Sequence, residues 1–194
     1  MTELREWIEE EDERTRDDRV ERAAWVLSFG WSENGYMLFG GHGSLAPFDE
    51  LRQAFINGEF VATVLLGQAF LEQLLAGYLD LAGGGVVGSP GLAEILKQFR
   101  DRGWIDETDF GVLDDVRRLR NPYAHYRDAQ HKDNLARRVM TEREDYTVLI
   151  ERDARSVVRA LMHLVNRHPF AMGPIVFPED DGPFVHPDQT ELPV

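Results

Sequence analysis

Cysteine is absent from the 194 residues. That excludes disulfides and thiolate metal sites, and it fits a protein of the reducing cytoplasm. Basic side chains are scarce: 21 Lys and Arg face 35 Asp and Glu, a net charge of −14. Taken whole, that balance argues against strong nucleic-acid binding, which leaves a basic footprint. Uninterrupted apolar runs are missing too. The most membrane-like window, residues 60–79, carries Gln68, Glu72 and Gln73, costly in hydrocarbon and ordinary in a helix bundle, so no membrane partner is expected. The start, MTELREWIEEEDERTRDD, has no apolar stretch of the signal-peptide kind, and a transit or secretory sequence is not expected. There is no internal repeat, P-loop, G-x-S-x-G elbow, H-E-x-x-H or EF-hand string, and no cofactor or metal is implied.

What is present is unevenly distributed. Residues 1–22 hold 10 acidic and 5 basic side chains, residues 23–110 hold 11 and 4, and residues 171–194 hold 5 and none. Residues 111–170 hold 9 and 12, the one net-positive stretch.

Apolar spacing predicts an all-α chain with helices over 3–28, 48–56, 59–82, 91–101, 107–120 and 148–167, and a short one near 134–140. The first helix has charge on all sides between Glu9 and Arg19, the pattern of a solvated segment or an arm that packs on a partner. The stripe Phe60, Val61, Val64, Leu65, Leu71, Leu74, Leu75, Tyr78 and Leu79 makes the third helix the centre of the bundle. Helices 91–101 and 107–120, only a few residues apart, should form an antiparallel hairpin. Three segments follow: an acidic N-terminal helix (1–30), a helical bundle (31–168) and an extended, irregular, Pro-rich acidic tail (169–194) with six of the nine prolines.

Two glycine strings match dinucleotide-binding patterns, Gly41-His42-Gly43-Ser44-Leu45-Ala46 and Gly83-Gly84-Gly85-Val86-Val87-Gly88. Neither lies in a βαβ unit. They read as a glycine loop, with His42 a loop residue, and as a flexible connector ahead of Ser89-Pro90. His163 and His168, five apart, have poor metal spacing and belong to the last helix and its end.

The stretch that looks built for chemistry is Arg120-Asn121-Pro122-Tyr123-Ala124-His125. Phe110, Leu113, Val116 and Leu119 trace one face of the helix leading into it. Pro122 has no N–H to donate and disfavours the α region for Asn121, so a straight helix should end here, with Asn121 capping the next. On a continuous helix Arg120 and His125 would point about 140° apart. A bend lets them converge.

The string LRNPYAH, with the run from Leu92 that precedes it, resembles the Arg-x4-His signature of the HEPN superfamily. These are all-helical domains of many prokaryotic toxins, anti-phage systems and RNA-processing factors. The resemblance covers roughly residues 48–168. It implies a HEPN-like bundle and metal-independent RNA cleavage at a composite site across a homodimer. By position it assigns Arg120 and His125 as catalytic residues and Asn121 as their polar assistant. It also implies RNA as substrate, with an antitoxin or regulatory protein as a further partner. Members silenced by AMPylation carry Tyr two places after the His. Here that place is Arg127, and Tyr126 directly follows the His.

These residue types suit the chemistry. Cutting RNA through its 2′-OH needs a group that takes and gives protons near neutral pH, and a permanent cation for the phosphate; His and Arg supply these. Tyr123 and Tyr126 offer flat faces for a base, and Arg117 and Arg127 complete an RNA-binding set, although core packing is the preferred reading of both tyrosines. A purely structural reading has Arg120 paired with Asp114 or Asp115 and His125 packed between helices. Two functions follow: a HEPN-type endoribonuclease acting as a toxin or defence effector, or a non-catalytic helical module that binds a nucleotide or a protein.

Overall fold

The computed structural model describes residues 2–83, 90–167, 170–173 and 175–176. The fold is almost entirely helical, as the apolar periodicity predicts. Among the described residues helix α1 (Thr2–Leu27) is anchored near its C-terminal end, where Val26 is buried, Trp25 meets Phe29 edge-on and packs tilted against Phe55, and Arg22 Nε donates to the Ile56 carbonyl at 2.9 Å. Its first half is exposed, including Leu4, Trp7 and Ile8. Pairs three apart, such as Arg14 with Glu11, decorate it.

Helix α2 (His42–Asn57) begins six residues before the expected start. The first glycine string is therefore a helix N-terminus, and His42 is its first residue. Two contacts explain the early start. Ser44 Oγ, wholly buried, donates to the Phe39 carbonyl at 2.6 Å, and Gly40, at φ 89°, lies so close to Gln73 and Gly77 of the next helix that side chains there would collide. The string serves packing. Gly58, at φ 82°, then ends α2 in the left-handed conformation that glycine adopts without strain.

Helix α3 (Phe60–Leu81) is long and apolar enough to cross a membrane by composition, yet Val64, Phe70, Leu71, Leu74, Leu75 and Leu79 are wholly buried in the bundle. The second glycine string falls almost entirely on residues 84–89, outside the described residues. Helices α4 (Leu92–Asp101) and α5 (Glu107–Leu119) pack as a hairpin. Asp106 caps α5 by accepting from Asp109 N at 2.8 Å, and the Arg100 guanidinium lies 4.5 Å over the Phe110 ring. After the one-turn helix α6 (Asn121–Ala124) come α7 (Leu135–Glu142), capped by Asn134, and α8 (Tyr146–Val165), capped by Asp145. Helix α8 lies against α3 and α5 with Ala154, Val157, Val158 and Leu161 fully buried.

The described part of the tail, residues 170–173 and 175–176, packs back on the domain. Strand β2 (Ile175–Val176) pairs antiparallel with β1 (Trp31–Ser32), Met37 N donates to the Phe170 carbonyl at 2.6 Å, and Phe170 is buried. The packed unit therefore runs past residue 168. Residues 177–194 and His168 lie outside the described residues.

Candidate functional site

Helix α5 delivers the motif. Its buried face, Leu113 and Val116 with Phe110 and Leu119 beside them, fixes it to the core, and the helix stops at Leu119. Arg120 keeps helical backbone angles (φ −67°, ψ −29°) and itself takes the N-cap position of α6 that Asn121 was expected to fill. Its carbonyl accepts from the N–H groups of Tyr123 (3.1 Å) and Ala124 (3.0 Å). Asn121 is instead the first residue of the turn, and its carbonyl accepts from His125 N at 3.2 Å. Pro122 cannot donate to the turn behind it, and His125 leaves in an extended conformation (φ −132°, ψ 137°).

The result is a bend that folds the two ends of the motif together. Arg120 Nη1 lies 2.9 Å from His125 Nε2, on an exposed surface. A guanidinium has only donors, so His125 Nε2 is the acceptor in this contact and the imidazole proton sits on Nδ1. Arg120 commits one N–H to His125, and its remaining donors suit phosphate oxygens. Pairing with Asp114 or Asp115, the structural alternative, does not occur. Asp114 is taken by Arg117 Nε at 2.6 Å and by Arg118 Nη2 at 2.5 Å.

The tyrosines divide. Tyr126 is 93% exposed, which overturns its core assignment and leaves both ring faces open. Tyr123 packs at the edge of the core and donates its O–H to Asp153 Oδ2 at 2.8 Å. It is therefore a poor stacking platform. Burial, then the Asp153 charge and the hydrogen bond to it, push the Tyr123 phenol above its ordinary value.

The arginines assigned to RNA also differ from expectation. Arg117 is held by Asp114. Arg127 is half-buried, its carbonyl accepts from Asn134 Nδ2 at 2.9 Å, and its Nε has no hydrogen-bond partner among the described residues. Of the twelve basic residues between 111 and 170, Arg117, Arg118, Arg138, Arg152, Arg155 and Arg167 sit in ion pairs. The local positive charge available to a ligand therefore centres on Arg120 and the segment after it, with Arg127, Lys132 and Arg137.

Sequence reasoning missed Asp153 and Arg138. Asp153, 3% exposed, receives Arg138 through both carboxylate oxygens, Nη1 to Oδ2 at 2.7 Å and Nη2 to Oδ1 at 2.9 Å. A signal for it exists: an aspartate on the apolar face of α8, four residues from both Leu149 and Val157, must be paired if that face is buried. A cleft of about 360 Å³ opens beside the turn, lined by Asp115, Arg118, Leu119, Pro122, Asp133, Arg138 and Ser156. Among the described residues no group of three or more His, Asp or Glu side chains is placed to hold a metal ion. Comparison of the chain with protein-family models, with curated proteins and with solved structures finds no match.

Proposed function

We propose that the chain is a HEPN-type endoribonuclease that cuts RNA by attack of a ribose 2′-OH on the neighbouring phosphate. The observation that carries this reading is the 2.9 Å contact between Arg120 and His125 at an exposed bend. In the proposed reaction RNA phosphate draws the Arg120 guanidinium onto its non-bridging oxygens and releases His125 Nε2. That nitrogen takes the 2′-OH proton as the 2′-oxygen bonds to phosphorus. The P–O5′ bond breaks, and the 5′-oxygen leaves with the proton that the His125 imidazolium returns. The products are a 2′,3′-cyclic phosphate and a 5′-hydroxyl. Asn121 donates from the same turn, and Tyr126 offers a face to a neighbouring base. A symmetric homodimer with the motifs near its axis would bring two such pairs to one cleft.

The test is cleavage of RNA by the purified protein, with and without EDTA, beside His125→Ala and Arg120→Ala. We expect activity that survives EDTA and falls about a hundredfold to ten-thousandfold in His125→Ala. A 2′-deoxy substitution at the cut position should abolish it. Cleavage that needs added Mg²⁺, or that persists without His125, would overturn the mechanism. The net charge of −14 favours the second reading, a module that binds a protein or nucleotide, and absence of cleavage would leave that reading in place.

A further inference from the structure

We infer that Tyr123 and Arg138, joined through the buried Asp153 carboxylate, are positioning residues that set the Arg120–His125 geometry. The kinetic part of this inference rests on the nuclease reading; the structural part does not.

Tyr123 lies inside the motif, three residues after Arg120 and two before His125. Helix α6 around it has four residues, far fewer than a helix needs to hold its own shape in water. Something else must fix its orientation. Leaving α5 through Pro122, the turn gains no direction from a continuous hydrogen-bond ladder. The turn packs against α3 and the edge of the core, and the Tyr123 O–H bond to Asp153 adds the directional tie from within.

Asp153 is a firm anchor. It sits on α8 among Leu149, Ile150, Ala154 and Val157, all buried. Both of its oxygens are occupied, Oδ1 by Arg138 and Oδ2 by Arg138 and Tyr123. Arg138 comes from α7, which follows the polar segment after His125. One carboxylate on α8 thus holds both the motif turn, through Tyr123, and helix α7, through Arg138. Stability alone does not call for this arrangement. A buried ion pair contributes little or nothing over apolar side chains of the same volume, because desolvation offsets the attraction. It does give direction, since a carboxylate with three donors accepts them only along fixed lines. Displacing the turn by an ångström would separate His125 from Arg120, and misplacements of that size cost about a hundredfold in rate.

Tyr123→Phe tests this in the full-length protein, because it removes one oxygen and keeps the ring and the Asp153–Arg138 pair. Three readouts are compared with wild type: the ¹⁵N and ¹H NMR signals of the His125 imidazole, kcat and KM for RNA cleavage, and the melting temperature. We expect the His125 signals to shift or broaden and kcat to fall about tenfold or more. KM should stay within about twofold, since Arg120, Arg127, Lys132 and Arg137 all remain to bind phosphate. Arg138→Lys keeps the charge and loses the two-pronged contact, and it should move the same signals in the same direction.

Unmoved His125 signals overturn the inference, as does unchanged kcat in a protein that cleaves RNA. A lower melting temperature with neither change would make Tyr123 a fold staple only, and would overturn it equally. If wild type does not cleave RNA and the His125 signals still move, the nuclease reading fails and the positioning role stands.

Discussion

His125 and Tyr123 sit two residues apart and experience opposite surroundings. His125 is exposed, and among the described residues it meets the Arg120 guanidinium as a donor. Protonating the ring would remove the lone pair that accepts it, so the contact belongs to the neutral imidazole and the Nδ1–H tautomer. Tyr123 is held from within, and its phenol is raised above the ordinary value of 10.0 by burial first and by Asp153 second. The folded chain therefore keeps this proton at a pH where the unfolded chain has lost it. The stabilisation is complete below about pH 10 and is lost as pH rises beyond it. The melting temperature should accordingly decline above about pH 10, and Tyr123→Phe should decline less steeply. Tyr36, also raised by burial, is common to both proteins, so the difference between the two curves isolates Tyr123. Identical alkaline slopes would show that the Tyr123 proton is not coupled to folding.

Helices with a clear stripe were legible in the sequence, and elements made by contact between distant segments were not. Helices α3, α5 and α8 follow their apolar periods closely, and Gly58 ends α2 where an Asn-Gly break was expected. The start of α2 was not legible, because glycine has poor helix propensity and only the approach of α3 explains why Gly40 and Gly43 stand there. Strands of two residues, 31–32 and 175–176, carry no periodicity at all. In the motif, the end of α5 followed from Pro122, but Asn121 neither caps the next helix nor leaves the α region: Arg120 and Asn121 stay helical, and the chain turns extended only at His125. The same close packing makes a prediction for α3. A methyl at Gly67 would strike Val157 Cγ1 and press on Leu161 Cδ1 of α8 at 3.2 Å. Val157 is β-branched and fully buried, so it has little freedom to turn aside. Overpacking of this kind costs about 1–3 kcal/mol, against roughly 1 kcal/mol gained when alanine replaces glycine in a helix. Gly67→Ala should therefore lower the melting temperature by several degrees, and adding Val157→Ala should cost less than the two single changes summed. A more stable Gly67→Ala protein would mean that α3 and α8 are not packed this closely.

The whole molecule carries −14, and the exposed first half of α1 concentrates part of it. Any RNA that reaches Arg120 must do so against that field. Six of the twelve basic residues between 111 and 170 are spent on ion pairs among the described residues, and of the other six, Arg120, Arg127, Lys132 and Arg137 lie in or just after the motif, where they can attract a strand, while Arg143 and Arg159 lie further along the chain. Single-stranded nucleic acid releases about 0.7 counterion per phosphate neutralised, so four contacts per chain set a log–log salt slope of roughly −3. That is shallow beside proteins with a basic face. Affinity for RNA should therefore fall as salt rises, with a slope between about −2 and −3 per chain, and Lys132→Ala or Arg137→Ala should each flatten it by about 0.7 without changing the cut site. Should a dimer bring two motifs to one strand, specific activity would also fall on dilution through the dissociation range. A salt-independent affinity would remove phosphate from the list of ligands and point to a protein or uncharged partner for the same bend. A slope far steeper than −3 would mean that residues beyond these four, or a second copy, supply most of the charge.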